Sequence, residues 1–191
     1  MVASSILPVA IHKGKLFFLF GKENEMEDSA KGFSDFGGGV ESGESITDTA
    51  IREGAEELCG FLGGPSEIKR LLKKNGGCYK LSHNNYHVHI CLMEYDDKLP
   101  YYFTNNHRFL WNRMNKQVLN DSKYFEKQQL KWFSTRELRT LRHEFRGFYR
   151  EIVDVIVKEL SQIRAFLRNR GRGSRKSISK SKRSTRKYRG G

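Results

Sequence analysis

At 191 residues and 37% hydrophobic content, the chain suits one domain with a core and is short for two. Its net charge of +13 is unevenly spread: Arg164 to Gly191 carries 12 Lys and Arg and no acid, which leaves 23 basic against 22 acidic residues elsewhere. No apolar run approaches the roughly 18 residues of a membrane span, so no membrane partner is expected. Cys59, Cys78 and Cys91 are odd in number and form no C-x-x-C pair, which indicates neither a disulfide framework nor a zinc knuckle. Reduced, intracellular, cytoplasmic surroundings are the simplest reading. The N-terminal run, interrupted by Lys13 and Lys15, does not read as a signal peptide.

In chain order, residues 5–11 (SILPVAI) and 15–20 (KLFFLF) flank His12, Lys13 and Gly14, which predicts a β-hairpin. Residues 21–35 are polar and read as a loop. Helical spacing begins near Ile46, where Thr47 or Asp48 can cap the N–H groups, and Gly60 is placed to end it. Residues 65–74 (PSEIKRLLKK) form a second short helix, with Pro65 in the tolerated first turn. Strands follow at 78–82 and 86–94, turning at His83, Asn84 and Asn85. The segment 96–125 is rich in aromatics and reads as irregular. Leu130 to Phe133 is a strand, and Ser134 with Glu137 has the spacing of a capping box. Phe148, Ile152, Ile156, Leu160, Ile163 and Leu167 recur at three- and four-residue steps, the mark of a long amphipathic helix. Beyond Arg168 the pattern stops, and residues 169–191 are too polar to bury themselves. The expected organisation is a domain over 1–168, a mixed α/β sandwich, and a disordered basic tail over 169–191.

The stretch FGGGVESGESITDTAIREGAEELCG, residues 36–60, gathers Glu53, Glu56 and Glu57 behind a run of glycines. On a helix, residues three and four apart share a face, so these carboxylates can approach one another and repel. Three readings stay open: a solvated helix face, partners for arginines such as Arg52, or oxygen ligands for Mg²⁺ or Mn²⁺. Gly37, Gly38 and Gly39 permit close approach of the main chain to a ligand.

This stretch resembles the signature of the Nudix hydrolases, G-x5-E-x7-R-E-U-x-E-E-x-G-U with U a bulky aliphatic. Gly38, Glu44, Arg52, Glu53, Glu56 and Glu57 stand at the required positions. Gly54 occupies the first U position, and Cys59 stands where the final glycine belongs, with Gly60 one residue on. A helix one residue longer would account for the shift. The resemblance implies a Nudix-like mixed-sheet α/β/α sandwich and hydrolysis of a nucleoside diphosphate linked to another moiety. It further implies that Glu53, Glu56 and Glu57 ligate Mg²⁺ or Mn²⁺, assisted by the Gly38 carbonyl. Arg52 would orient Glu53, and Glu44 would bond back to Arg52. The general base in such proteins often lies outside the signature; Glu126 and Glu94 are the candidates. Tyr101, Tyr102, Phe103, Phe109 and Trp111 could stack on a nucleobase or serve as core or loop anchors, with Tyr101, Phe103 and Trp111 the substrate-binding candidates. His87 and His89 alternate on one strand face and suit a structural role better than a metal.

Twelve cations on a polar tail suit phosphate backbones and make nucleic acid an expected partner. The ending RSTRKYRGG resembles basic tails on proteins of large DNA viruses, which would place the chain in host cytoplasm or virion. A metal site and a polycation in one chain suggest hydrolysis of capped RNA, that is, mRNA decapping. Hydrolysis of free nucleotides or dinucleoside polyphosphates is the alternative. A catalytically idle nucleic-acid-binding or virion-associated protein is the third reading. Nothing in the sequence sets the oligomeric state.

Overall fold

A computed structural model gives the fold for residues 1–24, 31–121 and 125–169. The N-terminal hairpin forms as its apolar runs require. Strand β1 (Ala3–His12) pairs antiparallel with β2 (Lys15–Glu23), Val9 opposite Phe18 and His12 opposite Lys15. Lys13 and Gly14 both take positive φ, 48° and 76°, the turn geometry that matches the twist of paired strands.

β1 organises the sheet. Along one edge it runs parallel to β6 (Tyr86–Leu92), from Ala3 beside Tyr86 to Val9 beside Leu92. Its other edge is divided. The first half pairs with β4 (Phe36–Gly39), Ala3 opposite Gly39 and Ile6 opposite Phe36, and the second half pairs with β2. β2 continues against β7 (Lys127–Ser134) and β3 (Phe33–Ser34), while β5 (Cys78–His83) lies outside β6. Among the described residues this makes one mixed sheet of seven strands.

Alternating side chains load both faces. On one, Ile6 packs with Ala50, Ile51 and Ala55 of α1 (Ile46–Glu57) and Ile68 and Leu72 of α2 (Pro65–Lys74). Beside them, Leu19 and Trp132 meet Leu99 and Phe103 of α3 (Leu99–Arg113). On the opposite face Leu7, Val9, Phe18 and Phe20 pack with Leu138 of α5 (Thr135–Thr140) and with Tyr149, Ile152, Val153 and Ile156 of α6 (Tyr149–Lys158). Ile163 and Leu167 belong to the same core. The expected α/β/α sandwich is therefore present. No helix among the described residues is long and apolar enough to cross a membrane. Residues 170–191, nearly the whole basic tail, lie outside those described.

Several local expectations need correction. The 96–125 segment is not irregular: α3 and the short α4 (Lys116–Asp121) occupy much of it. Only Leu99, Phe103 and His107 are buried on α3, a stripe too narrow to stand out among aromatics that face solvent. The polar segment 21–35 is partly strand, because β2 continues to Glu23 and β3 begins at Phe33; residues 25–30 lie outside those described. The α1 cap is Ser45, whose Oγ accepts the Asp48 N–H at 3.1 Å, rather than Thr47 or Asp48. The long C-terminal helix is interrupted at Glu159, beyond which residues 160–169 are helical again. Cys78 and Cys91 are joined in a disulfide across β5 and β6, where the register sets them opposite with Cα atoms 4.5 Å apart.

The two departures from the signature have structural answers. α1 ends at Glu57 and does not run longer. Cys59 takes φ 49° in the left-handed slot that suits glycine, and the N–H groups of Cys59 and Gly60 return to the Glu56 and Ala55 carbonyls at 2.9 and 3.1 Å. A Cβ at Gly54 would lie 3.1 Å from Cδ1 of Ile6, so Ile6 fills the space of the missing aliphatic.

Candidate functional site

The glycines of β4 are required by contact. A Cβ at Gly37 would overlap Ser5 of β1, and one at Gly38 would sit 2.6 Å from the carboxyl carbon of Glu53. β4 therefore passes close to β1 on one side and lets the Glu53 side chain lie against its main chain on the other. The Gly37 N–H donates to Glu57 Oε2 at 2.8 Å, fixing the end of α1 to the same strand.

Arg52 is the centre of the outer half of the site. Its Nε and Nη2 donate to the two oxygens of Glu44 at 2.7 and 3.0 Å, a bidentate pair. Its Nη1 donates to Glu53 Oε1 at 2.8 Å and to Glu56 Oε2 at 3.2 Å, and Nη2 also reaches the Gly39 carbonyl at 3.2 Å. The guanidinium beside Glu44 pulls that carboxyl down to about 2, aided by the Thr49 hydroxyl. Arg52 in turn is held well above its ordinary value, chiefly by Glu44.

Glu57 faces the other way, into the protein, and is 3% exposed. Its Oε1 lies 3.3 Å from Lys127 Nζ. That ammonium is buried as well, and it also donates to Glu23 and to Ser34 Oγ, the latter at 2.9 Å. Three acceptors thus meet its three N–H donors. The Lys127 stem crosses Gly21, where a Cβ would come within 2.9 Å of it. Arg146 Nη1 completes the network at 2.7 Å from Glu23.

The three signature glutamates are therefore shared between two protein cations. Glu53 and Glu56 are on Arg52, and Glu57 is on Lys127. Among the described residues no group of three or more acidic, histidine or cysteine side chains is gathered ready to hold a metal. The donor set nevertheless suits a hard divalent cation, being made of carboxylate oxygens beside an open glycine main chain. Burial pushes the Glu53 carboxyl upward, with Glu56 and Glu126 adding to the effect. Burial raises Glu57 further, against the opposing pull of Lys127. In both, burial favours the neutral carboxyl, and the nearby cation opposes it.

No family model matches the chain, and no curated protein does. Solved structures do. An Ap4A hydrolase of C. elegans, in a binary complex, superposes with a TM-score of 0.51 at 18% identity, over 85% of this chain and 98% of the other. The Nudix hydrolase RenU of M. smegmatis gives 0.50 at 10% identity, over 85% and 88%. The fold is that of the Nudix hydrolases.

Within this Nudix fold the remaining candidates separate. Glu126, at the start of β7, is exposed and near enough to Glu53 and Glu57 for its charge to raise both. Glu94 is exposed beyond the end of β6. Phe103 is corrected to a core residue: it is 2% exposed and packs on Phe61 at 5.4 Å, which closes it to a nucleobase. Trp111 is half-buried and stacks on His107, whereas Tyr101 is 66% exposed. His87 shares a hydrogen bond with Ser82 and His89 sits between Ser4 and Thr47. Burial lowers His89.

Glu23, Lys127 and Asp35 were missed by sequence reasoning. The one available signal is register, since Glu23 stands opposite Lys127 across β2 and β7. Asp35 is 1% exposed and accepts from the Ser5 and Tyr86 hydroxyls, the latter at 2.6 Å. Burial pushes it up to about 6 from 3.8.

Lys127→Met leaves Glu23 and Glu57 buried without their shared cation and should cost about 3–5 kcal/mol in urea unfolding. Asp35 has a raised folded value, so its stabilising contribution is complete below pH 3.8 and fades as pH rises through 6. Asp35→Asn should therefore gain on the wild type by on the order of 3 kcal/mol between pH 4 and pH 7. Urea midpoints across that range test this, and a difference independent of pH would contradict it.

Proposed function

We propose that the chain is a metal-dependent pyrophosphohydrolase acting on a nucleoside diphosphate linked to another group. The observation that carries this reading is the Arg52 hub, which joins Glu44, Glu53 and Glu56 beside Gly38 at signature spacing. Glu53, Glu56 and Glu57, with the main chain at Gly38, would hold Mg²⁺ or Mn²⁺. When bound, the ion supplies charge for phosphate oxygens and acidifies water.

The protein's own groups do the rest. Arg52 fixes the rotamers of Glu53 and Glu56, and Glu44 fixes Arg52. Lys127 and the Gly37 N–H hold Glu57 from opposite oxygens. Glu126 takes the proton of the attacking water, whose oxygen bonds to phosphorus as the bridging anhydride oxygen leaves. Glu57→Gln should reduce metal-dependent hydrolysis to background, and Glu126→Gln should lower it about 10²–10⁴-fold. Equal turnover by Glu57→Gln and parent, with Mg²⁺ or Mn²⁺ present, would refute the assignment.

For the substrate, capped RNA is favoured by the pairing of this site with the ten Lys and Arg of residues 169–191. A second reading, dinucleoside polyphosphates or free nucleotides, is favoured by the likeness to the C. elegans Ap4A hydrolase. Removing residues 169–191 separates them. Capped-RNA turnover should fall while turnover of small nucleotides holds; unchanged capped-RNA turnover would favour the second reading.

A further inference from the structure

The outer face of α3 has no part in the chemistry above, yet it departs from the rest of the domain in two ways. Tyr101, Tyr102 and Phe109 are 66%, 56% and 57% exposed, large rings turned to water within one helix. From Lys98 to Asn120 the sequence has no Asp or Glu, while Lys98, Arg108, Arg113 and Lys116 supply positive charge. The domain around it is close to neutral, so this helix is a local cationic surface. Arg113 stacks over the Phe109 ring at 4.9 Å, and Arg108 is exposed beside it.

We propose that the outer face of α3 is a binding platform for single-stranded nucleic acid. Unpaired bases offer flat faces to exposed rings, and the flanking cations meet the phosphates; both features are needed, and this helix has both. A duplex seals its base faces within the stack and gains only from the cations. An acidic protein partner would also be drawn to the charge but would not require the rings to stand open. α3 packs on the same face of the sheet as α1: Phe103 on its inner side touches Phe61, just past α1, and His107 lies 5.8 Å from Phe125, the neighbour of Glu126. Binding by this surface stands whether or not the carboxylate site hydrolyses capped RNA.

The test uses the full chain and a fluorescein-labelled uridine oligonucleotide without a cap, followed by anisotropy at several salt concentrations. Its partner is the same strand in a duplex. The wild type should prefer the single strand. Replacing Tyr101, Tyr102 and Phe109 together by Ala should weaken single-strand binding by at least about tenfold and abolish that preference. Replacing Arg108 and Arg113 by Ala should weaken both forms and reduce the salt slope by about two. Arg108 and Arg113 are solvent-facing, and hydrolysis of a small nucleotide by their variant should match the parent. Unchanged affinity in the aromatic variant would overturn the proposal and assign binding to the tail. So would a variant whose only change is loss of self-association in light scattering, since the face would then be an interface between copies of the chain. Glu57→Gln should bind the oligonucleotide as the parent does, so failure of the hydrolytic reading and failure of the platform are separate outcomes.

Discussion

Arg52 reaches three carboxylates at once, and the architecture of the site follows from that contact. Two like charges 4 Å apart in a partly buried setting repel by about 4 kcal/mol, a large share of the roughly 5–15 kcal/mol that keeps a domain folded. A helix turn bearing Glu53, Glu56 and Glu57 therefore folds only if cations are supplied from elsewhere. The protein supplies one on each side, Arg52 toward solvent and Lys127 from within. Neither neutralises the group completely, since Glu23, Glu44, Glu53, Glu56 and Glu57 share Arg52, Lys127 and Arg146. The residual negative charge is what a divalent ion would answer.

That compensation depends on the sheet. β1 gives half of one edge to β4 and half to β2, so the glycine strand and the strand carrying Glu23 converge at the same place. β4 then brings the Gly37 N–H to Glu57 and leaves the main chain of Gly38 open against Glu53. β2 brings Gly21, over which the Lys127 stem passes to reach Glu57. Small residues here are not flexible joints. They are the absence of side chains where two strands, a helix and a lysine need the same volume.

How much of this could be read from the sequence depended on the range of the contacts involved. The α1 site was legible because Gly38, Glu44 and the four signature residues of the helix lie close in the chain and carry fixed spacing. The hairpin and the Ser134–Glu137 capping box were legible for the same reason. Lys127 was not, because its partners Glu23 and Glu57 are distant in sequence and a buried lysine breaks the rule that charge stays outside. Cys78 and Cys91 become neighbours only once the β5–β6 register is known. Gly54 looked like a lost packing residue until Ile6, far earlier in the chain, was seen to fill the gap. α3 was hidden by its own surface. Its buried stripe has ordinary helical spacing, but the aromatics of its outer face give the sequence no single apolar side.

A division of labour between the two long helices on that side of the sheet accounts for both patterns. α1 turns its acids toward β4 and β7, where cations and main-chain donors hold them. α3 buries Leu99, Phe103 and His107 and sends its rings and arginines outward. The acids of α1 thus share a few cations brought from other elements, while the arginines of α3 stand on a stretch with no acid of its own. A local excess of one sign of charge draws ligands of the other sign. On the proposed reading, the counterpart of the carboxylates would be a divalent cation and that of the acid-free helix a phosphate backbone. A phosphate-linked substrate attended by a metal ion would bring both.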